Sequence, residues 1–319
     1  MPGSSVANAL RPFWLSGITQ CKGARRVTTE SFLLARTAHI NSSPIDGKFT
    51  VFVQNQTKIP EWFSHEADRF SSAAFESLIA ESTLPNFPRS IGWLLIRSYY
   101  SAFFALHSLM RLHGWACTRL TPLACRSLNK DVRIIFPEGS RIDSGLYLIK
   151  TSNRSSELSF EHMGTRFGGS HEALWGLLYD FLSELSSAVL AEAVDEVAAQ
   201  DFVSTVTKFR DLLNKNGGYT WLTRVGNHVN YSHLYGAWHP YERSTCDVDR
   251  VVSIINRWRL EPKLVITAGT MDELLQFCEA CAFIVSICRT TVEDLIFRSK
   301  PNSPFRLSSG RLLLTQYQS

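Results

Sequence analysis

The stretch LLIRSYYSAFFALHSLM, residues 94–110, decides the fold because it carries the apolar period of a long helix. Large side chains recur through it at three- and four-residue steps, at Leu95, Tyr99, Phe103, Leu106 and Met110. This spacing places them on one helical face. Pro85 and Pro88 precede the segment and Gly114 follows it, as start and stop signals do. The sequence therefore predicts a long helix that ends near Gly114.

Polar residues of the same helix form a narrow stripe made of Ser90, Arg97, Ser101 and Ser108. The stripe is too thin for a solvent-facing side, so we expect other elements to cover most of this helix. A buried charge without a partner destabilises a protein, so Arg97 needs one. It either forms a structural ion pair or faces a ligand cleft or a dimer seam.

Helical periods return later in the chain. One predicted helix has an apolar face made of Leu174, Leu177, Phe181, Leu185 and Val189, and the next has one made of Phe202, Val206, Phe209 and Leu213. Gly217-Gly218 ends the second of these. A shorter helix contains Val251, Ile254 and Ile255, and a last long helix opens with the capping box Thr270-Met-Asp-Glu273 and runs to about Arg298.

Two segments have the alternation of β-strands. Phe49, Val51 and Val53 alternate with other side chains after a turn-like Pro44–Gly47, and a further strand is predicted around 32–38. A β-hairpin is predicted near 145–162, with its turn at 152–155. The N-terminal strands are expected to form a small sheet of their own.

Composition indicates a soluble, cytoplasmic, folded protein. Lys and Arg number 33 and Asp and Glu 29, a net charge of +4, while 45% of residues are hydrophobic and 19% are charged. Disordered and coiled-coil chains carry more charge and fewer aromatic residues. The seven cysteines are odd in number and irregularly spaced, unlike a secreted disulfide framework. Arg97 interrupts the longest apolar run and the N-terminus lacks a signal-peptide core, so no membrane partner is expected.

Several chemistries lack their sequence motif. The chain has no GxxxxGK[ST], GxGxxG or GxSxG, which argues against nucleoside triphosphatases, Rossmann oxidoreductases and typical α/β-hydrolases. Cys278 and Cys281 form a CxxC without a second pair at zinc-site spacing, so with Cys288 they are interpreted as helix core. No metal or other cofactor is expected.

Polar and aromatic side chains concentrate between Tyr219 and Arg243. Three of the nine histidines and two of the eight tryptophans fall there. If residues 224–238 are helical, Arg224, His228 and Tyr231 share one face, which Asn227 and Tyr235 overlap. A cation, an imidazole and a phenol together can bind a phosphate and transfer a proton, as RNA cleavage requires. The alternatives are a ligand or nucleic-acid surface, with aromatic residues such as Trp238 for stacking, and a buried polar network.

A second candidate is the segment Arg166-Phe-Gly-Gly-Ser-His171, just before a predicted helix. Arg166 and His171 flank a flexible glycine pair. The segment is either an anion-binding loop at a helix N-terminus or an ordinary loop with His171 in the first helical turn.

Two segments together resemble the HEPN superfamily of helical-bundle proteins. The helix Arg97-Ser-Tyr-Tyr-Ser-Ala-Phe-Phe-Ala-Leu-His107 is similar to the Tyr-Tyr helix that opens many HEPN domains, and 222–233 is similar to their late Arg-containing segment. Membership implies metal-independent RNA cleavage in the active branches, with an Arg and a His from each of two copies meeting at a dimer interface. It implies roles for Arg224, His228 and His233 in catalysis, with Asn227 and Tyr231 orienting them.

The expected architecture is mainly α (α+β), a HEPN-like helical bundle with an inserted β-hairpin and a small N-terminal β element. The expected organisation is an N-terminal segment at 1–60, a helical domain at 61–299 and a tail at 300–319. The expected function is an endoribonuclease of bacterial anti-phage defence or of a toxin system, acting on RNA as a homodimer or with a genomic-neighbour protein. Arg97, Arg166, His171 and Trp238 are candidate substrate-binding residues. The alternative is a non-catalytic subunit that binds a protein partner, a nucleotide or single-stranded nucleic acid.

Overall fold

The computed structural model describes residues 4–23, 27–79, 90–139, 141–164, 167–192, 194–232, 234–239, 241, 246–267 and 272–315. The protein is predominantly helical with one small antiparallel sheet, which confirms the mainly α (α+β) class. In chain order, the helices of the described ranges are α1 (Ser5–Leu10), α2 (Thr29–Leu34), α3 (Lys58–Ile79), α4 (Ile91–Leu112), α5 (Pro122–Ile135), α6 (Ser170–Glu192), α7 (Glu196–Lys215), α8 (Thr220–Tyr231), α9 (Val248–Ile255), α10 (Glu273–Arg298), α11 (Pro304–Leu307) and α12 (Ser309–Thr315).

Helix α4 is the central helix, in contact with α3, α6, α8, α9 and α10. The predicted apolar face is buried except at Phe103, which is half-buried, and Ser101 and Ser108 of the polar stripe are buried. Their hydroxyl groups donate to backbone oxygens of α3, Ser101 to Ala74 at 2.7 Å and Ser108 to Ala67 at 2.8 Å. Small side chains thus let two helices approach closely with both hydroxyl groups hydrogen-bonded, and the expectation that other elements cover α4 is confirmed. Pro85 and Pro88 lie outside the described residues.

The strands are β1 (Ala38–Ile40), β2 (Lys48–Val53), β3 (Trp115–Leu120), β4 (Gly145–Lys150) and β5 (Glu157–His162). They form one antiparallel sheet in the order β1-β2-β5-β4-β3. The predicted strand at 49–53 and the predicted hairpin are confirmed, but they pair with each other, Phe49 opposite Phe160. The N-terminal strands therefore do not form a separate sheet. Strand β3 was not predicted; it begins after Gly114, whose φ of +80° turns the chain out of α4.

The predicted strand at 32–38 is wrong. Phe32 lies in α2, which Thr28 and Ser31 cap reciprocally, and the strand β1 begins only at Ala38. The Phe32 ring stacks on Trp62 of α3 at 4.6 Å. Local capping and a tertiary aromatic contact thus override the strand-like composition of this segment.

The later helices follow their predicted apolar faces, which are buried in α6, α7 and α9. Gly217 and Gly218 end α7 at positive φ. Helix α10 begins at Glu273, and Asp272, not Thr270, is its N-cap. Thr270 itself lies outside the described residues. The segment expected to be a C-terminal tail contains α11 and α12, which pack on α3.

The cysteines of α10 are core, as expected. Cys278, Cys281 and Cys288 are fully buried, and burial raises the pKa of the Cys281 and Cys288 thiols to about 12. Within the described ranges, no group of three His, Cys, Asp or Glu side chains is placed to hold a metal ion. No helix there combines the length and the apolar character that crossing a bilayer requires.

Candidate functional site

Helix α8 presents part of the predicted polar cluster to solvent. Its buried side is made of Trp221, Leu222, Val225, Gly226 and Val229. On the other side Asn227 is exposed, Tyr231 is 76% exposed and His228 is half-buried. Arg224, His228 and Tyr231 therefore share a helical face as predicted. The helix ends at Tyr231 and not at Trp238, so Tyr235, at φ +70°, is not part of that face.

Arg224 is held by a carboxylate that the sequence did not indicate. Its Nη2 donates to Glu273 Oε1 at 3.2 Å and to the Asn216 carbonyl at 3.1 Å. Glu273 also accepts from the Trp221 indole at 2.9 Å and from the Tyr235 hydroxyl at 3.0 Å. Burial and the hydrogen bond to Glu273 raise the pKa of Tyr235 to about 12. Arg224 thus belongs to a polar network at the start of α10, which is the structural alternative for this segment.

Trp238 packs against α4 rather than extending the α8 face. Its indole N–H donates to the Val229 carbonyl at 2.7 Å, and its ring lies perpendicular to Trp93 at 5.5 Å. A Cβ at Gly92 would come within 2.6 Å of that ring, so glycine is required for this approach. Trp238 fastens the segment after α8 to the N-terminal turn of α4.

Two of the other predicted binding residues lie on other helices. Arg97 is half-buried on α4, and His171 lies in the first turn of α6. Arg166 and His233 lie outside the described residues. The structure therefore brings together Arg224, Asn227, His228 and Tyr231 on α8, whereas Arg97, His171 and Trp238 belong to or pack on other elements.

His171 is part of a chain of hydrogen bonds between α6 and α4. Its Nδ1 lies 3.0 Å from the Tyr99 hydroxyl, which accepts from the Trp175 indole at 3.0 Å. We assign the phenolic proton to the His171 contact, which leaves the imidazole proton on Nε2. Burial lowers the pKa of His171, so the ring is neutral near pH 7. The ring stacks on Phe103 at 4.3 Å.

Sequence reasoning missed a buried ion pair beside His107. Arg111 and Glu66 are only 1% and 3% exposed, with Arg111 Nε 2.7 Å from Glu66 Oε2. Arg111 Nη1 lies 3.2 Å from His107 Nδ1, and since a guanidinium only donates, His107 carries its proton on Nε2. Burial and the Arg111 charge hold the pKa of His107 well below its usual range.

The two neutral imidazoles and the rings around them form what we term the imidazole cluster, made of His107, His171, Phe70, Tyr100, Phe103 and Phe104. Both imidazoles contact Phe103, and the Phe70 ring stacks on His107 at 4.8 Å. Phe70, Tyr100, Phe103 and Phe104 are all half-buried. A signal for the cluster was present in the sequence: Arg97, Tyr100, Phe104, His107 and Arg111 recur at alternating steps of three and four along α4.

Comparisons of this chain with protein-family models, with curated protein sequences and with solved structures found no match.

Proposed function

We propose that this protein is a HEPN-like, metal-independent endoribonuclease that acts as a dimer in bacterial anti-phage defence or a toxin system. The observation that supports this most is the solvent side of α8, where Arg224, Asn227, His228 and Tyr231 lie together. These are the residue types that the resemblance to HEPN proteins implies for catalysis.

In the proposed reaction the RNA 2′-oxygen attacks the adjacent phosphorus, and the bond from phosphorus to the 5′-oxygen breaks. One imidazole accepts the 2′-hydroxyl proton and a second protonates the leaving 5′-oxygen, so a cyclic phosphate and a free 5′-hydroxyl form. His228 of two copies, or His228 with His233, supplies the two imidazoles. In this reaction Arg224 stabilises the negative charge that develops on the phosphorus oxygens.

The test is RNA cleavage by the purified full chain in the presence of EDTA. We expect His228→Ala and Arg224→Ala each to reduce the cleavage rate at least about a hundredfold, the usual contribution of a proton-transferring or charge-stabilising side chain. His39→Ala, which removes a partly exposed histidine of β1, is the matched control and is expected to keep full activity. A wild-type protein that leaves RNA intact, or equal cleavage by all variants, would refute the assignment.

One observation favours the second candidate function, a non-catalytic subunit that binds a nucleotide or single-stranded nucleic acid. In the imidazole cluster, half-buried rings adjoin two neutral N–H donors, a combination suited to stacking an unpaired base and pairing with its oxygen or nitrogen acceptors. Tyr100→Ala is then expected to weaken binding of a labelled oligonucleotide about tenfold, while Phe297→Ala, an exposed residue of α10, has no effect. Fluorescence anisotropy measures both. Binding that is insensitive to Tyr100 would exclude the cluster.

A further inference from the structure

A cavity of about 510 Å³ opens between three segments that are distant in sequence, and none of the predicted site residues that the structure describes lines it. The segments are 15–22 after α1, 56–61 at the start of α3 and 152–155 in the β4–β5 turn. Cavities of this size hold small organic ligands. The cavity is therefore large enough to be a binding site separate from the α8 face.

The charges around this cavity favour an anion. Among the described residues, three cations, Lys22, Lys58 and Arg154, line it with one carboxylate, Glu61, which gives a formal charge of 3 − 1 = +2. Glu61 accepts from Lys58 at 2.7 Å, while Lys22 and Arg154 are exposed. A phosphate monoester carries between about −1.5 and −2 near neutral pH, which complements this lining.

The backbone conformation of Arg154 is unfavourable for a residue with a side chain. Its φ is +61°, in the left-handed region where a Cβ clashes with the backbone and where glycine or asparagine is usual. Such conformations are concentrated at binding sites. Here the strained residue carries a guanidinium that lines the cavity.

Long-range hydrogen bonds hold the walls in place. The Leu15 amide donates to the Leu112 carbonyl at 2.7 Å, and the Ser16 amide donates to the Asn153 side chain at 2.9 Å. The second bond joins the segment that carries Lys22 directly to the turn that carries Arg154. The cationic groups are therefore attached to fixed backbone, which reduces the entropy lost on binding.

The neutral lining distinguishes among phosphorylated ligands. Hydroxyl and amide side chains surround the cations, at Ser16, Gln20, Gln56, Thr57, Ser152 and Ser155, and Leu15, Ile59 and Pro60 provide an apolar wall. None of the lining residues that lie within the described ranges carries an aromatic ring on which a base would stack. Burial raises the pKa of the Cys21 thiol to about 11, so this cysteine is not a nucleophile at neutral pH.

We propose that this cavity reversibly binds a phosphorylated sugar or a related polyol phosphate. Lys22, Lys58 and Arg154 contact the phosphate, and the hydroxyl and amide side chains pair with the hydroxyl groups of the ligand. The proposal does not depend on ribonuclease activity.

Isothermal titration calorimetry of the full chain with ribose 5-phosphate, ribose and inorganic phosphate, at low salt, tests the proposal. Ribose 5-phosphate is expected to bind at least about tenfold more tightly than either of its parts, because both kinds of contact form together. Lys22→Ala and Arg154→Ala are each expected to weaken it about tenfold through loss of a charge-assisted hydrogen bond. Lys48→Ala is the control, since Lys48 is an exposed lysine of β2 that pairs with Glu161 outside the cavity.

Three results would overturn the proposal. The first is no binding of ribose 5-phosphate at millimolar concentration by a wild-type protein whose circular dichroism shows it folded. The second is an equal loss of affinity in Lys48→Ala, which indicates non-specific attraction of anions. The third is tighter binding of adenosine monophosphate than of ribose 5-phosphate, which indicates base recognition.

Discussion

Replacing Arg111 with methionine is expected to lower the free energy of unfolding by about 3 kcal/mol. Methionine keeps much of the aliphatic volume but leaves the Glu66 carboxylate, 3% exposed, without its 2.7 Å guanidinium partner. Breaking a buried pair in this way usually destabilises by about 3–5 kcal/mol. We expect the lower value of this range because Arg69 lies 3.6 Å from the same carboxylate and Thr29 donates two hydrogen bonds to it.

Urea unfolding at pH 7, followed by tryptophan fluorescence and extrapolated linearly, measures this loss. Arg298→Met is the matched control, since Arg298 is exposed and its partner Asp294 keeps a second guanidinium, that of Arg11, at 2.8 Å. This variant should change stability by less than about 1 kcal/mol. Pairing Arg111→Met with Glu66→Leu should recover part of the loss, because no unpaired charge then remains buried. A loss below about 1 kcal/mol for Arg111→Met alone, or no recovery in the double variant, would refute the reasoning.

The same pair gives the protein an acid-sensitive component of stability. Burial alone would raise the pKa of Glu66, but the charge and hydrogen bond of Arg111, with the bonds from Thr29, lower it below its ordinary value of 4.5. The stabilisation is therefore fully present above pH 4.5 and is lost as pH falls through the lower pKa of the folded state. Glu66→Gln should flatten the decline of the urea midpoint in that range.

Three further predictions concern other parts of the chain. Burial lowers the pKa of His113 from 6.5 to about 4, so between these pH values only the unfolded chain binds this proton. The protein therefore loses stability as the pH falls from 7 to 5, and in His113→Gln this loss should be smaller by about 2 kcal/mol, measured from urea midpoints. Arg154→Gly should relieve the left-handed strain and raise the free energy of unfolding by about 1 kcal/mol in the same assay, while calorimetry shows weaker binding of ribose 5-phosphate. Gly92→Ala should displace the Trp238 ring and lower that free energy by about 1–3 kcal/mol, whereas Gly169→Ala, with no atom near the added methyl group, should have little effect on it.

The hydrophobic period predicted the helices well where one face is apolar and the helix is long. Helix α4 and the apolar faces of α6 and α7 follow directly from spacing, because burial of one face is a property of the local sequence. Glycine marked the ends of α4 and α7 for a similarly local reason, since positive φ favours it.

The spacing of apolar residues did not predict which distant segments pair. Strand β3 has no clear alternation and is stabilised by its register with β4, and the N-terminal strands gave no sign that β5 would be their neighbour. Phe32 has strand-like neighbours, yet its contact with Trp62 and the Thr28 cap place it in a helix. Such outcomes depend on partners that a local pattern does not contain.

The candidate site shows the same division. Helical spacing predicted that Arg224, His228 and Tyr231 share a face. It did not predict the hydrogen bond from Arg224 to Glu273, because these two residues are far apart in the chain. The ionic group of Glu66 and Arg111 was missed because each residue alone resembles a surface charge. Only their packing between α3 and α4 makes them a pair.

The register of the sheet also bears on how the chain folds during synthesis. Strands β1 and β2 are made early, yet β2 acquires its second neighbour, β5, only after α3, α4 and α5 have followed. A two-stranded ribbon alone is marginally stable in water, and its unpaired edge is open to mispairing. During synthesis, β2 can therefore pair with β5 only once the chain has been made as far as residue 162. Nascent chains shorter than this should remain sensitive to protease in the N-terminal region.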